Sequence, residues 1–148
     1  MVQMPRQKWL KWLFGLYCLM MLWLLLLHRL GEPLEAGRYN IRPMETVQRY
    51  LWVLRHSANT AQRSYAVANL LGNVGLFVPL GIFLPLLFSK HRRFWCTFFV
   101  SVFLILLVEL VQFFTGLGAL DVDDFILNLG GTILGWLLWR FVWKSSTV

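Results

Sequence analysis

The residues of this chain best suited to chemistry are carboxylates beside apolar sequence. Asp121, Asp123 and Asp124 stand close together, and Glu109 lies shortly before them inside an apolar run. Carboxylates next to a bilayer are costly unless they cap a helix, pair or bind something. A Glu whose pKa is raised by burial, beside an ionised Asp, can act as acid and base or hold a divalent cation. Glu109, Asp123 and Asp124 are therefore candidate catalytic residues.

The acidic cluster also has a structural explanation. Aspartates at the start of a helix accept hydrogen bonds from free backbone amides and favour the positive end of the helix dipole. Capping alone would account for at least one of the three. It does not account for Glu109, which stands within an apolar segment away from any predicted helix start.

The composition indicates the elements that must position these residues. Hydrophobic residues make up 58% of the 148 residues and charged residues only 14%, which is typical of a membrane protein. Helices of about 20 residues are needed to cross a ~30 Å hydrocarbon layer. Apolar stretches of that length lie at about 9–27, 66–88, 94–114 and 125–143. We therefore predict an all-α integral membrane protein, one membrane domain over 1–148 with four transmembrane helices.

The loop 28–65 between the first two spans is predicted to hold a short amphipathic helix on the membrane surface. Its apolar positions recur at helical spacing and are Met44, Val47, Leu51, Leu54 and Ala58. This helix either lids the bundle, or its surroundings bind an anionic head group. In the second case the phosphate-binding residues would be Arg49, Arg55 and Arg63.

The basic residues predict the orientation. Cations without acids flank the ends of the spans at Arg6, Lys8, Lys11, Lys90, Arg92, Arg93, Arg140 and Lys144. These ends should share the cytoplasmic side of the cytoplasmic membrane. Both termini would then lie in the cytoplasm, and the loop 28–65 would lie on the external side. The basic charge is thus a topology signal, and we expect no nucleic-acid partner. Cys18 and Cys96 have no ligand-like spacing to His, so neither a metal ion nor a cofactor is expected.

The polar residues within the spans agree in depth. Asn69 with Asn73, Glu109 with Gln112, and Asp124 with Asn128 each share a helix face. At about 1.5 Å per residue, Asn73 lies about 10 Å and Glu109 about 8 Å below the same outer boundary. We predict an outer polar pocket, with Arg63 or Arg55 as the cation beside Glu109. The predicted ligand-binding residues are Asn69, Asn73, Glu109, Gln112, Asp121, Asp123, Asp124, Asn128 and Arg63.

Other roles are open for some of these residues. The amides could be hydrogen-bonding contacts between helices rather than ligand-binding groups. Gly131 and Gly135 form a Gly-x-x-x-Gly pattern, which favours close helix packing.

The ordered set of motifs resembles the VanZ-like family of small bacterial membrane proteins over about 38–140. The residues that carry the resemblance are Asn40, Pro43, Thr46, Asn69, Gly72, Asn73, Phe77, Pro79, Gly81, Glu109, Gln112, Asp123, Asp124, Asn128, Gly131 and Gly135. An Arg that the family commonly carries nine residues after the Glu is here Gly118. The resemblance implies a role at the cell envelope, since founding members are linked to resistance to teicoplanin and related lipoglycopeptides.

The leading hypothesis is a non-catalytic protein whose outer-leaflet pocket contributes to teicoplanin-type resistance. Its ligand would be a membrane lipid, a lipid-linked cell-wall precursor or the lipoglycopeptide. The alternative is a membrane enzyme acting on a lipid-linked head group, with Glu109 and Asp123 or Asp124 as acid and base or cation ligands. A proton-linked transporter ranks last, because it would need polar residues in the inner half of the spans. The sequence leaves the oligomeric state open.

Overall fold

Four long helices form the body of the protein in the computed structural model, which describes residues 4–26 and 39–144. They are α1 (Met4–Leu25), α3 (Thr60–Leu87), α4 (Phe94–Thr115) and α5 (Val122–Lys144). Each is long and apolar enough to cross a membrane. A shorter helix, α2 (Glu45–His56), lies between α1 and α3. The predicted fold class is confirmed. Residues 27–38, which include the end of the predicted first span and the start of the predicted loop, lie outside the described residues.

Two very short strands were not predicted. β1 (Tyr39–Asn40) pairs in parallel with β2 (Leu120–Asp121), with Asn40 opposite Asp121. Strands of two residues are too short to show an alternating pattern in the sequence. The pairing has a consequence for the site, because it joins the segment before α2 to the segment that leads into α5.

Glycines allow α3 and α5 to pack with their backbones in contact. A methyl group at Gly131 would overlap the carbonyl oxygen of Val74, and one at Gly135 would overlap that of Val78. Gly81 of α3 meets the backbone of α5 in the same way. The predicted packing role of Gly131 and Gly135 is confirmed, and it follows that the polar residues on the two helices are brought close together.

The apolar core lies between α1, α3 and α4. Its buried residues are Tyr17, Met21, Phe77, Leu80, Leu84 and Ile105. The Tyr17 hydroxyl donates to the carbonyl oxygen of Leu76 at 2.8 Å, which satisfies the one polar atom that this ring brings into the core. Most of the α1 surface is nevertheless exposed, so its outer face is left for lipid.

The face of α2 that packs on the bundle carries polar and aromatic side chains. Thr46 is buried and Tyr50 is half-buried, whereas Met44, Leu51 and Ala58 are exposed. Met44 precedes the helix in a left-handed conformation with φ 68°, and Ala58 follows its end. Two of the apolar positions that predicted the helix, Met44 and Ala58, therefore lie outside it. The polar contacts of Thr46 decide which face of α2 turns toward the bundle.

We expect Gly135→Ala to destabilise the protein by about 1–3 kcal/mol, because the added methyl group must push α3 and α5 apart. Thermal unfolding of the purified protein in detergent measures this. Gly130→Ala is the matched control, since no heavy atom outside its own helix lies within 4 Å of the added carbon. The control should be neutral or stabilising by up to about 1 kcal/mol through helix propensity. Equal effects of the two substitutions would contradict the packing role.

Candidate functional site: a polar cavity at one end of the bundle

A cavity of about 690 Å³ lies where α3 begins, α4 ends and α5 begins, beside the first half of α2. Seven of the nine predicted ligand-binding residues line it. They are Asn69, Asn73, Glu109, Gln112, Asp121, Asp124 and Asn128. The residues whose depths agree along three separate helices thus line one cavity. Ligand binding by these residues stays a prediction.

Asp121 links the start of α5 to the segment before α2. Its Oδ1 accepts a hydrogen bond from the backbone N–H of Asp123 at 2.9 Å, as an N-cap side chain does. The same carboxylate accepts from the Thr46 hydroxyl at 2.7 Å and from the Asn40 amide at 3.1 Å. Capping, which was one of the open explanations, is therefore part of the role of Asp121.

Asp123 caps α2 rather than its own helix. Its carboxylate accepts from the backbone N–H groups of Met44 at 2.5 Å, Thr46 at 2.8 Å and Val47 at 3.1 Å. These are the amides that an N-cap side chain and a capping box would normally satisfy. The Met44 side chain cannot do so, because it has no oxygen. Asp123 is 0% exposed and does not line the cavity, so its predicted role in ligand binding has no support from this geometry.

Asp124 faces the cavity and contacts α3. Its Oδ1 accepts a hydrogen bond from the Asn73 amide at 2.5 Å. The Tyr50 ring of α2 lies nearby, edge-on to Tyr65 of α3 with 6.0 Å between centroids. Burial raises the pKa of the Tyr50 phenol above its ordinary value, and the proximity of Tyr65 and Asp124 adds to the shift. Tyr50 consequently stays protonated and remains a hydrogen-bond donor at the cavity wall.

Glu109 and Gln112 are buried on the inward face of α4. Glu109 is 4% exposed, and its Oε2 accepts from the backbone N–H of Asp121 at 3.4 Å. The Gln112 amide donates to the carbonyl oxygen of Leu25 at 2.8 Å, which ties the end of α1 to α4. The alternative role of the amides as contacts between helices is therefore realised for Gln112, although this residue also lines the cavity.

Asn128 is the member of the site with an unfilled hydrogen-bonding position. It is 3% exposed and lines the cavity from α5. Among the residues that the structure describes, its buried Oδ1 has no hydrogen-bond partner. Leaving a buried acceptor unpaired costs roughly 1–3 kcal/mol. A structural amide would be expected to find a protein partner, so this oxygen indicates a place for a donor from outside the chain.

Of the three arginines that the sequence suggested for phosphate binding, Arg49 lines the cavity, whereas Arg55 and Arg63 do not. Arg63 is exposed near the start of α3. Arg42 also lines the cavity. Arg49 donates to the Thr46 hydroxyl at 3.1 Å, and Arg42 lies 4.0 Å from the carboxylate of Glu45. A role of Arg63 in binding stays a prediction that this geometry does not support.

Residues before and within α2 complete the cavity wall and were missed as site residues. They are Tyr39, Asn40, Ile41, Arg42, Glu45, Thr46 and Tyr50. Asn40 and Thr46 had a signal in the sequence, since both belong to the motif that carried the family resemblance. The comparison of depths along the membrane-spanning helices could not identify them, because Asn40 lies in the short strand β1 and Thr46 in α2. Gly118, which replaces the Arg of the family pattern, is buried at the cavity.

Together, four helices able to span a membrane and a polar cavity at one end of their bundle define a multi-pass helical membrane protein. The family described as VanZ/LLP1 matches residues 14–143, and the chain belongs to this family. The resemblance seen in the sequence motifs is confirmed. No curated protein and no solved structure matches the chain.

We expect Asp123→Ala to release α2 from the bundle, because three backbone amides lose their charged acceptor, at a cost of about 2–4 kcal/mol. Trypsin can report this by cleavage after Arg49 and Arg55, which should become faster in the variant. Glu45→Ala removes an exposed carboxylate from the same turn of α2 and is the matched control. An unchanged cleavage rate in Asp123→Ala would refute the capping role.

Proposed function

We propose that this VanZ-like protein is a non-catalytic component of the bacterial cell envelope that contributes to resistance against teicoplanin-type lipoglycopeptides. In this proposal the polar cavity opens to the outer leaflet of the cytoplasmic membrane and binds an amphiphile there. Binding lowers the access of the antibiotic to its lipid-linked target. Both termini lie in the cytoplasm.

The observation that supports the proposal is the cavity itself, with the unpartnered oxygen of Asn128 in its wall. Its volume of about 690 Å³ falls within the range of small-molecule sites. Placing polar side chains within a membrane costs free energy, and this protein concentrates such side chains around the cavity. Lipid-linked precursors and lipid-anchored antibiotics place their polar parts at the outer surface of the membrane, so a cavity that opens to the outer leaflet can bind them.

The charges near the spans support the proposed orientation. The turn at the opposite end of α3 from the cavity carries Lys90, Arg92 and Arg93 without any acid. Short basic loops of this kind stay on the cytoplasmic side. The cavity, which lies at the other end of α3 and α4, is then external.

Orientation is tested with single cysteines in a chain without Cys18 and Cys96. Ile41→Cys lies at the cavity wall and Ser89→Cys lies in the turn after α3, and both parent residues are exposed. A membrane-impermeant maleimide should label the first in intact cells and the second only after permeabilisation. The reverse pattern would overturn the proposed topology and, with it, the outer-leaflet cavity.

The function is tested by Glu109→Gln, which keeps the shape of a buried cavity side chain and removes its charge. We expect a several-fold loss of teicoplanin protection at equal expression, because the cavity loses part of its negative field. Ser101→Ala is the control, since it removes a buried hydroxyl about 12 Å away on the same helix. Full teicoplanin protection by the Glu109→Gln variant would refute the proposed role of the cavity in resistance.

The enzyme alternative stays a prediction. Asp123 uses its carboxylate to hold α2, so Glu109 and Asp124 would have to carry acid and base chemistry. Turnover of a radiolabelled lipid precursor by the purified protein, with and without a chelator, would distinguish this alternative from the binding role.

A further inference from the structure

The two ends of the cavity differ in charge. Arg42 and Arg49 stand at its exposed side with α2, while Glu109 and Asn128 are buried in its wall on α4 and α5. Asp121 and Asp124 add carboxylates at the start of α5, and the carboxylate on the α2 side, Glu45, lies 4.0 Å from Arg42. A ligand that matches this distribution has an anionic group toward α2 and a hydrogen-bond donor of positive charge toward α4 and α5.

The deep end requires donors rather than acceptors. The Oδ1 of Asn128 can only accept a hydrogen bond, and no group within residues 4–26 or 39–144 donates to it. The carboxylates of Glu109 and Asp124 are likewise acceptors when ionised, and within the protein they accept from Asp121 and Asn73 respectively. A primary ammonium group supplies three N–H donors and a positive charge. A quaternary ammonium group supplies the charge but no N–H donor.

The outer end fits a phosphate. Arg49 uses one guanidinium N–H for the Thr46 hydroxyl, and Arg42 is 4.0 Å from the Glu45 carboxylate. A guanidinium carries five donors in a fork that matches phosphate oxygens, so both side chains keep donors for a ligand. Exposed fractions of 84% for the Arg42 side chain and 54% for that of Glu45 show that their ion pair is open to exchange.

The surroundings of the cavity favour a lipid as the molecule that carries the phosphate and the ammonium group. Tyr39 and Ile41, at the cavity wall, are 66% and 69% exposed, and Trp52 on the outer face of α2 is 61% exposed. Apolar and aromatic side chains exposed beside a membrane-spanning bundle suit the interface between head groups and acyl chains. A lipid whose head group enters the cavity would leave its acyl chains against these residues.

We propose that the cavity binds the phosphoethanolamine head group of a membrane phospholipid, with the phosphate at Arg42 and Arg49 and the primary ammonium group at Asn128, Glu109 and Asp124. The assignment rests on the proposed binding function and names its ligand class.

The test measures binding of short-chain phosphatidylethanolamine to the full chain in detergent by the shift in thermal unfolding temperature over a titration. Phosphatidylcholine of the same chain length is the matched ligand, since it has the same charges and no N–H donor. We expect phosphatidylethanolamine to bind at least about tenfold more tightly, a difference of about 1.4 kcal/mol. Phosphatidylglycerol, without an amine, should bind no better than phosphatidylcholine. Water-soluble glycerophosphoethanolamine should bind more weakly if the acyl chains contribute; equal binding would assign a soluble ligand and overturn the lipid source.

Substitutions at the cavity test which residues contact the ammonium group and which contact the phosphate. Asn128→Leu keeps the side-chain size and removes the acceptor, so the preference for phosphatidylethanolamine over phosphatidylcholine should disappear. Asn128→Asp keeps an acceptor and should retain the preference, which guards against a folding defect in the leucine variant. Arg49→Gln should weaken both lipids by a similar factor, because both carry the phosphate. Ser101→Ala should change neither lipid.

The outcomes separate this inference from the proposed function. Equal binding of the two lipids, or a preference that survives in Asn128→Leu, overturns the head-group assignment even if Glu109→Gln loses teicoplanin protection. Conversely, a clear preference for phosphatidylethanolamine together with full protection by Glu109→Gln leaves the lipid site standing and refutes the resistance role.

Discussion

The contact on which the site depends is the one between the Asp123 carboxylate and the first turn of α2. Three backbone N–H groups of a helix that lacks its own capping side chain converge on this buried carboxylate. The interaction fixes where α2 sits and which of its faces turns inward. Arg49 and Tyr50 reach the cavity as a result, since they follow one turn later on the same helix. The negative charge of Asp123 is tolerated because three backbone N–H groups donate to its carboxylate.

A second constraint acts from the opposite wall. Gly81, Gly131 and Gly135 let the backbones of α3 and α5 touch, and no larger residue fits at these positions. This closeness brings Asn73 within hydrogen-bonding distance of Asp124. Van der Waals packing of small residues thus determines the geometry of a polar site, as expected in a bilayer, where no hydrophobic driving force holds helices together.

The three aspartates that are close in sequence have three separate roles in the structure. Asp121 caps α5 and joins it to Asn40 and Thr46, Asp123 caps α2, and Asp124 faces the cavity. The sequence could show that they are clustered beside a span, and capping was recognised as one explanation. It could not show that one of them caps a helix almost eighty residues earlier, because such a contact has no local periodicity.

The sequence by itself determined the four apolar spans, the family, the glycine packing and the shared depth of Asn73, Glu109 and Asn128. These features follow from composition and helical spacing, which are local properties of the chain. Only the tertiary structure decided the orientation of α2, the choice of Arg49 over Arg55 and Arg63 at the cavity, the presence of Arg42 there, and the Asn128 oxygen that has no partner among the described residues. These depend on distances between segments far apart in the chain, and long-range contacts leave no trace in residue spacing.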